Sequence, residues 1–170
     1  MFQKMVKYGL FFLLALLTFA ANALPTDKEQ VMHVMADSAD LNQLAHKGTY
    51  TGNVELIQGT TNLHASKAIT QGDDKNQLIL AIANGVKGKQ AHYWTTTDPR
   101  KPILHAYADT IRYHPLRHLI ELIGNAHVEQ GSDSFSAAKI SYDTIKQHVL
   151  SNGDKKQRIV IIYHPEKKSS

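Results

Sequence analysis

Ten histidines and no cysteine occur in a chain of 170 residues. The chemistry to weigh first is therefore imidazole chemistry: metal ligation or acid–base catalysis. A zinc site needs three or four converging ligands. His114 and His118 stand four apart, a spacing that would put both on one face of a helix. Pro115 lies between them in a turn signal, so the helical meaning of that spacing is lost. His33 and His105, His46 and His118, and the acids Asp37 and Asp109 each recur at an interval of 72 residues. Recurrence at one interval is what structural repetition produces, so these are read as rung and turn residues. No Gly-x-Ser-x-Gly elbow, phosphate-cradling glycine loop or His-Glu-x-x-His motif occurs. The reading is a protein that is not an enzyme, with no cofactor and no metal. The competing reading, an exported histidine-dependent metalloenzyme on a jelly-roll, predicts stoichiometric metal in purified protein.

The repetition itself is the strongest signal. At an offset of 72, 11 of 35 ungapped columns are identical between His33–Lys67 and His105–Lys139. The clearest segments are Thr51-Gly-Asn-Val-Glu-Leu-Ile-Gln-Gly59 and Ile123-Gly-Asn-Ala-His-Val-Glu-Gln-Gly131. A duplicated unit implies stacked copies of one supersecondary element, with function spread along the stack.

Period-2 alternation marks those elements as half-buried strands. Tyr50, Val54 and Leu56 share a face opposite Thr51, Asn53 and Glu55; Leu78, Leu80 and Ile82 share a parity; so do Tyr107, Ile111 and Tyr113, and Ile120, Leu122, Ala126 and Val128. Turn signals such as Gln58-Gly59, Asn84-Gly85, His114-Pro115 and Asn152-Gly153 separate them. The expected fold is all-β, with roughly 11–14 strands in sequential antiparallel order. Gly52 and Gly124, inside strand patterns at equivalent positions, predict a bulge, a bend or a close backbone approach.

The N-terminus reads as a leader. Lys4 and Lys7 precede an apolar run from Gly9 to Ala21, and Ala21-Asn22-Ala23 supplies a small-x-small cleavage signal. That run is short of the about 17–25 residues of a membrane span. Residues 1–23 are thus expected to be a cleavable signal peptide, 24–165 a single domain, and 166–170 a disordered tail. An uncleaved anchor is the alternative, and N-terminal sequencing decides it. Without the leader 17 basic side chains face 15 acidic ones, so nucleic acid is not an expected partner.

Two further features bear on function. Val31–Ala36 opens the fold and Arg158–His164 nearly closes it, both β-prone, apolar and free of proline. Open edges of this kind accept further strands, which implies head-to-tail association. The apolar face of the strands must also be buried, against an opposing sheet or against a ligand.

The segments Tyr50-Thr-Gly-Asn-Val-Glu-Leu-Ile-Gln-Gly59, Leu63-His-Ala-Ser-Lys-Ala68, Gly88-Lys-Gln-Ala-His-Tyr93, Leu122–Gly131 and Ala138-Lys-Ile-Ser-Tyr142 resemble the LptA (OstA-like) family of periplasmic lipopolysaccharide-transport proteins. The resemblance runs from about Met32 to Ile162. It departs at Val31, where relatives carry a proline, and at the His114-Pro115 turn. The resemblance implies a twisted, V-shaped β-jellyroll of stacked antiparallel strands, open at both ends. It implies a bridge between inner and outer membranes that carries lipopolysaccharide with its acyl chains in an interior groove. For that groove the resemblance singles out the apolar parity: Met32, Val34, Val54, Leu56, Leu63, Leu80, Ile82, Tyr93, Ile111, Tyr113, Leu122, Val128, Phe135 and Ile140. Met32 and Val34 would form the edge for a membrane-anchored, LptC-like inner-membrane component. Ile159, Val160, Ile161 and Ile162 would form the edge for an LptD-like outer-membrane component or the next copy.

Overall fold

The computed structural model describes Asp27 and residues 30–164, apart from 147 and 156. The expected leader and tail lie outside the described residues. Among the described residues twelve strands run β1 (Met32–Met35), β2 (Ser38–Asn42), β3 (Lys47–Gln58), β4 (Thr61–Gly72), β5 (Leu78–Asn84), β6 (Ala91–Thr95), β7 (Leu104–Ala108), β8 (Thr110–His114), β9 (Leu119–Gln130), β10 (Asp133–Asp143), β11 (His148–Asn152) and β12 (Val160–Ile162). A 3-10 turn at Pro115–Arg117 carries the His-Pro signal. All pairings are antiparallel.

The strand order is not the sequential one expected. The four longest strands, β3, β4, β9 and β10, each pass a corner halfway along and contribute to two sheet faces. One face runs β1, β3, β4, β6, β7, β9, β10, β12, using residues 54–58, 61–65, 126–130 and 133–137 of the long strands. The other runs β2, β3, β4, β5, β8, β9, β10, β11, using residues 47–51, 67–72, 119–123 and 139–143. Shorter strands alternate between faces as the chain proceeds, which is why β4 pairs with both β5 and β6. The 72-residue repeat is now explicit. Strands β1–β6 form one unit and β7–β12 a second in the same order.

The corners explain the repeated residues. Register breaks fall between Thr51 and Val54 in β3, and in the β9–β10 pair opposite Gly124-Asn125. Gly52 and Gly124 both have φ +79°, a conformation in which a Cβ is costly, and Asn53 and Asn125 follow at +43° and +48°. Each corner is held by the aspartate that starts the neighbouring face. Asp37 N–H donates to Gly52 O and Asp109 N–H to Gly124 O, both at 2.9 Å. Asn53 and Asn125 donate from Nδ2 to the Asp37 and Asp109 carboxylates at 3.0 and 2.9 Å. The Ala-Asp…Gly-Asn identity is therefore a paired corner clasp. His46 and His118 belong to the same logic: both have positive φ, and their carbonyls accept from Gly72 N–H and Thr144 N–H.

The core lies between the two faces. Near the corners it narrows and small side chains predominate: Ala65, Ala83, Ala91, Ala108, Ala126 and Ala137 are all buried, with Val54 beside the first corner. Farther from the corners Leu56, Leu63, Tyr93, Ile111, Tyr113, Leu122 and Ile140 fill the wider space.

Two parity expectations are corrected. In β5, Ala81 and Ala83 are the buried members, and Leu80 and Ile82 point the other way. A register break opposite Gln71 and Gly72 lets Leu78 face inward before the parity changes. Tyr107 likewise faces outward, because the Asp109 corner separates the parity of β7, where Ala106 and Ala108 are buried, from that of β8, where Ile111 and Tyr113 are.

Candidate functional site

Between the two faces, in the half of the molecule nearer β11 and β12, the core does not close. A cavity of about 180 Å³ remains, lined by Tyr93, Leu104, Ala106, Ile111, Ile120, Leu122, Val128, Phe135, Ile140, Tyr142 and Val149. The phenol oxygens of Tyr93 and Tyr142 are the only side-chain heteroatoms in that set. Val149, on the end strand β11, is 47% exposed, so the cavity runs out to solvent at that end. In the other half the same space is filled by Val54, Leu56, Leu63 and Tyr50. Tyr93 stands where filled and open halves meet. Burial raises its phenol pKa, and its hydroxyl bonds to Thr61 and Thr95. Asp27 is buried beside that threonine group, accepting from Thr60 Oγ1 and Thr61 Oγ1.

The residues expected along the groove thus separate into four groups. Tyr93, Ile111, Leu122, Val128, Phe135 and Ile140 line the cavity. Val54, Leu56, Leu63 and Tyr113 lie in the packed core continuous with it. Met32 and Val34 sit at the β1 end, on the inward parity, with Val34 opposite buried Leu56 and 38% exposed. Leu80 and Ile82 lie on the outer face. Leu104, Ala106, Ile120, Tyr142 and Val149 were missed. The alternation of Ile120 with Leu122 carried a usable signal, whereas Ala106 is too small to mark a face by hydropathy. On the C-terminal edge, Ile159 to Ile162 are all exposed, with Ile161 at 70%.

His64, His92, His105 and His127 cluster with Trp94 and Tyr107 on the outer face. His92 stacks on Tyr107 with centroids 4.2 Å apart and on Trp94 at 4.5 Å, and His92 Nε2 lies 3.0 Å from His105 Nδ1. Burial, then the neighbouring His105 and His64, lower the His92 pKa to about 4. Among the described residues no three His, Asp or Glu side chains are placed to hold a metal ion. No described helix is long and apolar enough to cross a membrane.

These features define a class: a two-faced β-jellyroll with a corner clasp in each repeat, an apolar interior and end strands whose outer edges have no partner strand among the described residues. Comparison with known proteins places it further. Residues 33–148 match the family described as the LptA/(LptD N-terminal domain) LPS transport protein, and the chain belongs to that family. It is 35% identical over 156 residues to the lipopolysaccharide export system protein LptH of Pseudomonas aeruginosa, covering 88% of this chain and 87% of that one. It is 27% identical over 148 residues to the export system protein LptA of Escherichia coli K12, covering 85% and 77%. The crystal structure of LptH, described as the LptA-homologous periplasmic component of the lipopolysaccharide transport device of Pseudomonas aeruginosa, superposes with a TM-score of 0.71 at 30% identity. It covers 83% of this chain and all of that one.

Proposed function

We propose that the protein is a periplasmic bridge that binds lipopolysaccharide and passes it from the inner membrane toward the outer membrane. The acyl chains occupy the apolar interior, and the protein does no chemistry and holds no cofactor or metal. The cavity between the sheets is the observation that carries this reading. About 180 Å³ of space lined almost wholly by apolar side chains and open at one end leaves apolar surface uncovered, which is unfavourable in water. A sandwich built only for stability would fill that space. An acyl chain fills it reversibly.

The edges serve assembly. The β1 edge, with Met32 and Val34, receives a membrane-anchored LptC-like component, and the edge of Ile159 to Ile162 receives an LptD-like component or another copy. Residues 1–23 are removed on export, leaving one domain at 24–165 with a short tail.

The test is photocrosslinking in cells. A benzophenone side chain at Phe135 or Leu56 should capture lipopolysaccharide, while one at Ser134 or Glu55, on the opposite parity, should not. Equal capture on both parities would sink the interior path.

A further inference from the structure

The chain already contains one junction of the kind that end-to-end assembly requires. Its two repeat units meet along two seams: β6 pairs with β7 in one face, and β5 with β8 in the other. Strands β1 and β2 are the repeat equivalents of β7 and β8, 72 residues earlier. Strands β11 and β12 are the equivalents of β5 and β6. Lys67 faces Asn84 and Lys139 faces Asn152, so past that turn the interval falls to 68. The residues that follow make matching contacts. Val86 N–H donates to Lys89 O and Asp154 N–H to Gln157 O, each at 2.9 Å. A Cβ at Gly85 would meet Lys89, Gln90 and Ala91, and one at Gly153 would meet Gln157, Arg158 and Ile159. Each end of the molecule is thus one half of a seam whose other half is at the opposite end.

In the internal seam, Gly85 N–H donates to Asp109 O at 2.9 Å, and the Gln90 amide reaches the Asp109 carboxylate at 3.4 Å. The matching groups at the ends are Gly153 N–H and the Arg158 guanidinium on one side, and the Asp37 carbonyl and carboxylate on the other. Among the described residues no backbone hydrogen bond reaches Gly153 N–H or the Asp37 carbonyl. Where the internal seam has a neutral amide, the free end carries a cation opposite an anion.

We propose that a second copy of this chain docks on the first in the register of the internal seam. Ile161 then faces Val34 of the next copy and Val149 faces Leu41, while Gly153 N–H and Arg158 engage Asp37. The inference rests on the reading that copies join end to end, and adds to it the residues and the register. The register follows from Tyr93 facing Ala106 and Ala81 facing Tyr113, carried over by the two intervals. It sets apolar side chains of inward parity against each other, and these four are 38–70% exposed in the single chain. A slip of one residue would turn every such side chain outward. A slip of two would keep parity but carry Arg158 away from Asp37.

The native chain has no cysteine, so introduced thiols report the register directly. Full-length mature Ile161→Cys mixed with Val34→Cys should form an oxidised heterodimer at least about tenfold faster than Ile161→Cys mixed with Met32→Cys. In concentration-dependent sizing, Arg158→Glu should weaken association about tenfold, and Arg158→Gln, which reproduces Gln90, by much less. Arg158 is exposed, and unfolding curves of the variants should overlay wild type. If copies associate but the slipped pair links as fast, or Arg158→Glu associates normally, the register is wrong and the end-to-end reading stands. If the wild-type protein shows no concentration-dependent association, the end-to-end reading falls and the register with it.

Discussion

Replacing Gly124 by alanine tests the corner clasp, and the expected cost can be worked from its parts. At φ +79° an L-residue costs about 1–2 kcal/mol relative to glycine. The new Cβ would also stand 3.0 Å from Asp109 Cβ and closer to its carboxylate. Asp109 must then turn away and release the 2.9 Å bond from Asn125 Nδ2, worth about 1 kcal/mol. The total is about 2–3 kcal/mol. Gly88→Ala is the control, because Gly88 has φ +82° yet a Cβ there meets nothing within 4 Å. Both substitutions restrict the unfolded chain equally, so that contribution cancels in the comparison. Urea unfolding should place the Gly124→Ala midpoint below that of Gly88→Ala by about 0.3–1 M, for an m-value of about 1–3 kcal/mol/M. Gly52→Ala, at the same φ and against Asp37, should match Gly124→Ala. If Gly124→Ala costs no more than Gly88→Ala, or the two corners differ by more than about 1 kcal/mol, the repeated clasp does not hold the faces together as argued.

Other substitutions separate folding from function. Leu56→Ala, in the packed half of the core, should cost about 2–5 kcal/mol in urea unfolding, whereas Ile161→Ala should change monomer stability by less than about 0.5 kcal/mol. Ala126→Phe, at the fully buried narrow end, should destabilise by about 1–3 kcal/mol through overpacking. His92, whose folded pKa of about 4 lies below its unfolded value near 6.5, binds a proton more readily in the unfolded chain. Its contribution is therefore present above pH 6.5 and lost as pH falls toward 4, and solvent screening holds the loss to about 1–2 kcal/mol. Histidine NMR titration should find His92 among the last to protonate, and His92→Gln should flatten stability between pH 6.5 and 4.

Most of the fold was legible because its signals are local or periodic. Alternation in β3 and β9 placed Val54, Leu56 and Leu122 inward, and the repeated Gly-Asn marked both corners. What failed were the places where parity changes without a hydropathy signal. In β5 the outward residues Leu80 and Ile82 are more apolar than the inward Ala81 and Ala83, so alternation alone gives the wrong face. The narrow corner selects alanine by volume, and volume cannot be read from a pattern before the corner is known. Tyr107 was misplaced by the unmarked break at Asp109. The cavity could not be read at all. It opens at the end strands β11 and β12, where Phe135, Tyr142 and Val149 line it and no further strand of the chain packs beyond them.

That opening connects the interior to the ends. Soluble proteins normally blunt their edge strands, because a row of unpaired donors and acceptors invites other chains. Here β12 is exposed along its whole length, and the end strands keep apolar side chains on the inward parity with no described strand of the chain on their outer side. Covering β11 and β12 with a loop or a charged strand would remove the association hazard. It would also seal the cavity at Val149. Openness at the ends and openness of the interior are therefore one property. A stack of repeats can pass an apolar ligand onward only if its last layer looks like its middle ones. The unblunted edge is a requirement of the conduit, and on the proposed reading a component docked as at the internal seam completes it.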